Sequence, residues 1–129
     1  MKLLNPPVLG NPPKTYTHGV LVEAAGPTLY ISGQVGVDSS GTVSPDFATQ
    51  ARTAWRNVEA VLAAAGMSVS DIIKTTVFLV RPEDFPVFVE VRSGVLKGHR
   101  PASSLVFVSS LVDPAWKVEI EAVAIKGKS

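Results

Sequence analysis

Ile72-Ile73-Lys74-Thr75-Thr76-Val77-Phe78-Leu79-Val80 is the stretch on which the fold turns. It is rich in β-branched residues, and apolar or threonine side chains stand at both odd and even positions. A strand with one wet face alternates apolar and polar residues; a strand without that alternation reads as central and covered on both faces. The cover has to come from the segments on either side of it.

Upstream, Ser44 to Ala65 reads as the clearest helix. Ser44 can cap it, Pro45 suits the first helical position, and Asp46 favours the N-terminal dipole. Phe47, Ala51, Ala54, Trp55, Val58, Val61, Leu62 and Ala65 form one apolar stripe at helical spacing, and Gly66 is placed to end it. The alanines in that stripe allow close packing on a sheet. Downstream, Pro82 opens a second helix that runs to about Lys97, with Phe85, Phe88, Val89, Val95 and Leu96 as its buried stripe. His99 falls just past its end, where a cation suits the dipole.

Farther out, Val20–Ala24 and Thr28–Ser32 are short β-prone runs, and Gly26-Pro27 between them signals a hairpin. Asp38 to Gly41 is a second turn cluster. Leu105–Val108 and Lys117–Ile125 read as two more strands. In the last one Val118, Ile120, Ala122 and Ala124 face one way, and Glu119, Glu121, Val123 and Ile125 the other. The first fifteen residues hold Pro6-Pro7 and Pro12-Pro13 and read as extended or loose chain. The resulting order is strand–strand–helix–strand–helix–strand–strand, an α+β architecture in one domain over residues 1–129. Right-handed crossovers put both helices on one face of the sheet. The other face of Ile72–Val80 then still needs a cover, and a second copy of the same chain supplies it most simply.

Composition narrows the function. The 129 residues carry a formal net charge of +1, and Lys and Arg are nowhere concentrated, so nucleic acid is not an expected partner. Charged residues are 18% of the chain, below the usual quarter, which fits surface hidden in an oligomer. There is no cysteine, which removes disulfide and thiolate chemistry. Two histidines on separate elements make a poor zinc set, so no metal or cofactor is expected. No apolar run has transmembrane length and the N-terminus lacks a signal-peptide core, which reads as a cytoplasmic protein without a membrane partner. No G-x-S-x-G elbow, P-loop or G-x-G-x-x-G is present.

Several blocks in order resemble one family. Ile31-Ser32-Gly33-Gln34-Val35 follows the first β-prone pair; Gln50-Ala51-Arg52, Asn57-Val58 and Ala65-Gly66-Met67 mark the first helix; Asp71 to Leu79 is the central strand. Pro101-Ala102-Ser103-Ser104 and Val118-Glu119-Ile120-Glu121-Ala122-Val123-Ala124 close the set. From about Tyr16 to Ile125 the chain resembles the Rid (reactive intermediate deaminase, or YjgF) family. The resemblance implies a chorismate-mutase-like fold, one mixed β-sheet with two helices on one face, assembled as a homotrimer. It implies clefts between subunits that bind small carboxylates, and hydrolysis of enamine or imine intermediates to a 2-keto acid and ammonia.

Carried over residue by residue, the resemblance assigns Glu119 to the carboxylate that positions or activates water; a structural hydrogen-bond acceptor at the subunit boundary is the alternative. Tyr16 would line the cleft, or anchor the N-terminal segment. Ser32 and Gly33 would border the ligand, Gly33 because no side chain blocks approach, although a bulge or strand end explains it equally. His18, close to Tyr16, is a candidate acid or base because imidazole is the side chain suited to proton transfer at physiological pH, against an ordinary solvent role. Three positions depart from the family. Active members carry an Arg after Pro-Ala, a bidentate clamp for the substrate carboxylate; here that position is Ser103. Leu105 stands where some carry Cys, and Val89 where they often carry Asn. Losing the clamp costs roughly 2–5 kcal/mol of binding in a partly desolvated cleft, and Arg100 is the nearby candidate to replace it. Three functions therefore compete: a Rid-type hydrolase with altered specificity, a non-catalytic ligand-binding or regulatory trimer, and, weakest, a ribonuclease or translation inhibitor.

Overall fold

A computed structural model of the chain describes residues 1–23 and 25–127. In chain order its elements are β1 (Lys2–Leu4), β2 (Gly19–Leu21), β3 (Ala25–Val35), α1 (Phe47–Ala64), β4 (Ile72–Leu79), α2 (Phe85–Leu96), β5 (Ala102–Phe107) and β6 (Val118–Gly127), with short 3-10 turns before α2 and β4. Four strands form the main sheet in the order β3-β6-β4-β5. β4 runs parallel to β5 and antiparallel to β6, and β6 runs antiparallel to β3, so the sheet is mixed and β4 is interior as its sequence required.

Alternation sorts the faces. Thr75, Val77 and Leu79 of β4 and Val118, Ile120 and Ala122 of β6 are buried on one side, opposite each other in register. Against them pack Trp55, Val58 and Leu62 of α1 and Phe88 and Leu96 of α2. The Trp55 and Phe88 rings lie 6.4 Å apart at 27°, tying the two helices together. Full burial of a side chain such as Phe88 contributes about 1.5–3 kcal/mol, and of the helices α1 supplies more of the large fully buried ones, Trp55, Leu62 and Val58 among them. Both helices therefore share one face.

The ends of α1 follow local chemistry, with one correction. Asp46, not Ser44, is the N-cap: its carboxylate accepts from the Thr49 amide at 3.0 Å, while Ser44 Oγ accepts from the Asp46 amide at 3.1 Å. A carboxylate there satisfies an orphan amide and also meets the positive end of the dipole. Gly66 closes the helix at φ 70°, with its amide on Ala63 and the Met67 amide on Leu62, a Schellman arrangement that a side chain at that φ would strain.

Two expectations are overturned, one at the sheet edge and one in α2. No hairpin forms at Gly26-Pro27. β3 runs straight through that pair beside β6, and the ladder slips between Ala25 and Thr28 there. β3 is an edge strand, and Pro27, which has no N–H to give, sits in the slip. Instead β2 pairs antiparallel with β1, so Lys2–Leu4 of the N-terminal segment, read as extended or loose chain, runs extended as a strand. The final residue of the expected Val20–Ala24 run, Ala24, lies outside the described residues. In α2, Phe85 is exposed and Arg92 is buried instead.

The other face of the main sheet carries no helix. Tyr30 is 77% exposed there and Val106 45% exposed, with Phe78 and Val123 half-buried beside them.

Candidate functional site

The expected site residues fall into two groups. The first lies where β3 meets β6. The ladder shifts register between Ile31 and Gln34, so Ser32-Gly33 forms a bulge opposite β6. The Glu119 side chain lies across Gly33: a β-carbon at Gly33 would stand 2.6 Å from Glu119 Cδ and 2.8 Å from Cγ. Glycine at this position is thus what lets the carboxylate lie flat on the strand. Glu119 is half-buried and joins none of the ion pairs among the described residues. Its neighbours Val118 and Ile120 are buried under the helices, so Glu119 points to the helix-free face. Glu121 is exposed on that face, with Lys74, Thr76, Tyr30 and Ser32 around a shallow depression.

The second group gathers at the far edge of the sheet. Thr17 bridges Ala102 in parallel, its amide donating to the Pro101 carbonyl at 3.0 Å, which sets Tyr16 beside the start of β5. Asn5 locks this turn by donating to Thr17 Oγ1 at 2.6 Å and accepting from the His18 amide at 2.9 Å. The exposed His18 ring meets Tyr16 edge-on, with centroids 6.1 Å apart. Ser103 accepts a hydrogen bond from the buried Thr75 hydroxyl at 2.9 Å, so its side chain faces the helices. Leu105 packs against the core, and Val89 is half-buried on α2. Arg100 turns to the N-terminal segment, its Nη1 donating to the Pro13 carbonyl at 2.6 Å.

Glu119 and Ser103 are thus kept apart within one chain. They lie on opposite faces of the sheet with β4 between their strands.

One charged residue of this region escaped the sequence reading. Arg92 is 5% exposed on α2; its Nη2 donates to Thr15 Oγ1 at 3.1 Å and its guanidinium carbon stands 5.4 Å above the Phe88 ring. Burial pushes the guanidinium below its ordinary pKa, and Tyr16 works in the opposite direction. Phe88, Arg92 and Leu96 repeat every fourth residue, which places Arg92 in the middle of the buried face. That spacing was the available signal.

The comparisons agree with this architecture. The profile of the Endoribonuclease L-PSP family matches residues 10–126. Human 2-iminobutanoate/2-iminopropanoate deaminase is 40% identical over 114 residues, covering 87% of this chain and 80% of the human one. The chain belongs to the Rid family. The putative reactive intermediate deaminase TdcF of Escherichia coli K12 is 39% identical over 105 residues, 78% of this chain and 81% of its own. Among solved structures, the Rid-family protein YyfB of Yersinia pestis superposes with a TM-score of 0.86 at 27% identity, covering 96% of this chain and 97% of that one. Escherichia coli TdcF with bound serine superposes with a TM-score of 0.74 at 34% identity, covering 98% and 100%. The Rid fold expected from the sequence blocks is therefore borne out. Among the described residues, no group of three or more His, Cys, Asp or Glu is placed to hold a metal ion, and no helix is long and apolar enough to cross a membrane.

Proposed function

We propose that this Rid protein hydrolyses a small imine or enamine metabolite in a cleft between copies of the chain, releasing ammonia and leaving a carbonyl. The observation that carries this reading is the Glu119 carboxylate held over Gly33. A carboxylate without a cationic partner is free to accept a proton from water, and its half-burial lowers the competition from bulk solvent. Water bound to Glu119 adds across C=N: oxygen bonds to carbon, and nitrogen gains a proton. Glu119 then takes the proton of the carbinolamine hydroxyl and hands it to the leaving nitrogen, so that C=O forms as ammonia departs. The relatives named as 2-iminobutanoate/2-iminopropanoate deaminases support a small 2-imino acid as the substrate class, and TdcF with bound serine supports a carboxylate-bearing ligand. The helix-free face bearing Tyr30, Phe78, Val106 and Val123 supports a closed homo-oligomer, a trimer in this reading.

Ser103, tied to Thr75 and uncharged, favours a second reading: a trimer that binds a small ligand without turning it over. Ribonuclease action draws support only from the description attached to the family, and a net charge of +1 offers no phosphate footprint.

The test is an imine-trapping assay. An amino-acid oxidase generates 2-imino acids, semicarbazide captures what survives, and the protein competes for it. Wild type is expected to suppress trapping and Glu119→Gln to lose about a hundredfold or more of that rate, the usual share of a positioned acid–base group. Equal rates for the two proteins remove Glu119 from the mechanism, and an inert wild type leaves the binding trimer as the better reading.

A further inference from the structure

Between the N-terminal segment and the C-terminal half of α2 lies a pocket of about 190 Å³. Lys14, Thr15, Arg92, His99 and Arg100 stand on its walls over Leu96, and none of its lining residues is acidic. Its basic side chains are held by different elements. Arg92 rises from α2, Arg100 is fixed by the Pro13 carbonyl, and His99 is anchored by donation from Nε2 to the Ile72 carbonyl at 2.7 Å. Arg92 is the unusual member. Its guanidinium makes one hydrogen bond, to the neutral Thr15 hydroxyl, and its Nε is buried without an acceptor. Among the described residues it forms no ion pair. A buried guanidinium remains charged, and burying a charge without a counter-ion is costly. The stacking on Phe88 offsets only part of that cost. The arrangement is therefore that of a cation kept for an anion that arrives from outside.

We propose that this pocket is an anion site with Arg92 as its principal donor, and that it receives the carboxylate of a small 2-oxo or 2-imino acid. The planar fork of Arg92 suits a carboxylate in two-point contact. Arg100 and Lys14 add long-range attraction, and Thr15 adds a hydroxyl. A volume of about 190 Å³ holds a compact acid of a few carbons and not a nucleotide. The identity of the anion rests on the deaminase reading above; anion binding at Arg92 does not.

The test uses the intact protein and three probes: pyruvate, its uncharged amide, and inorganic phosphate. Binding is followed by titration calorimetry and by backbone amide shifts in NMR. Pyruvate is expected to bind saturably and to move the resonances of Thr15, Arg92 and His99, while the amide leaves them in place. Arg92→Gln is expected to weaken pyruvate by about thirtyfold or more, as loss of one partner of a desolvated charge pair does, with the circular dichroism unchanged. Arg92→Lys keeps the charge, loses the fork and guards against misfolding of the first variant; it is expected to fall between the two. The proposal is overturned if pyruvate moves no resonance around the pocket, if the amide binds as well, if phosphate binds more tightly than pyruvate, or if Arg92→Lys binds like wild type. Saturable pyruvate binding with no imine hydrolysis sinks the deaminase reading and leaves the pocket. Undiminished pyruvate binding in Arg92→Gln sinks the pocket and leaves the deaminase.

Discussion

If the chain is the proposed imine hydrolase, replacing Gly33 with alanine should separate catalysis from folding. The added β-carbon would fall 2.6 Å from Cδ and 2.8 Å from Cγ of Glu119, well inside van der Waals contact. Gly33 does not hold a positive φ, so the backbone itself accepts alanine. The strain falls on the Glu119 side chain, which is half-buried on the helix-free face and is pushed off its place over Gly33. An off-rotamer side chain costs about 0.5–1.5 kcal/mol, which for a domain of this size moves Tm by only about 2–6 °C. The catalytic consequence is larger. A group displaced by about 1 Å from its working position forfeits on the order of a hundredfold in rate, or about 2.7 kcal/mol of transition-state stabilisation. Gly33→Ala is therefore expected to fold and to assemble with nearly native stability, and to lose about a hundredfold in kcat in the imine-trapping assay. Full kcat in a folded variant, or a crystal structure of it with Glu119 unmoved, would refute the link between the glycine, the carboxylate and the water.

Two other substitutions probe the scaffold. Gly36→Ala presses a β-carbon to 2.7 Å from Gln50 Cα and 2.9 Å from its carbonyl, a helix backbone that cannot turn aside, so stability is expected to fall by about 1–3 kcal/mol or more in urea unfolding; a shift below 0.5 kcal/mol would mean α1 moves freely over β3. Hydrogen bonds from the Thr49 hydroxyl and amide hold the Asp46 carboxyl below its ordinary pKa, and those from Ser40 and Thr42 do the same for Asp38. A depressed folded-state pKa stabilises above the unfolded value and loses that stabilisation as pH falls through the folded one, so thermal stability is expected to drop below about pH 4. Asp46→Asn should flatten part of that acid limb, and an unchanged limb would show that the cap does not titrate there.

Much of the fold was legible because burial leaves a period in the sequence. β4 lacked alternation and proved interior; β6 alternated and proved half-covered; the α1 stripe matched the buried face from Phe47 to Leu62. The misreadings share a cause. Gly26-Pro27 has the local chemistry of a turn, yet pairing of β3 with β6, distant in sequence, overrode it and placed the proline in a slip at an edge. β1 was hidden for the same reason, since its partner β2 is the only thing that makes it a strand. In the site, Glu119 and Gly33 were found separately through the family blocks, but their contact needs the bulge at Ser32-Gly33, which no periodicity reveals. Arg92 was passed over because a charged residue on a helix is ordinarily assigned to the wet face, although its spacing from Phe88 and Leu96 put it on the dry one.

Under the proposed function, the placement of the two groups would make assembly part of the chemistry. Strands lie about 4.8 Å apart and rise about 3.3 Å per residue, and Glu119 pairs with Phe78 while Ser103 pairs with Thr75, so the two are separated by about 10 Å across the strands, about 10 Å along them and the thickness of the sheet. A small imino acid cannot span that path around the edge of one chain. The face that carries Glu119 is also the one that leaves Tyr30, Phe78, Val106 and Val123 uncovered. Covering it with a second copy buries those side chains, shields Glu119 from bulk water and brings another chain's edge to the carboxylate. On this hypothesis the monomer is incompetent, and dilution should lower the specific activity steeply once the oligomer dissociates. Sedimentation velocity run beside the imine assay checks it: a dilute monomeric sample with undiminished specific activity would place the whole site within one chain and remove the reason for pairing Glu119 with another chain's edge.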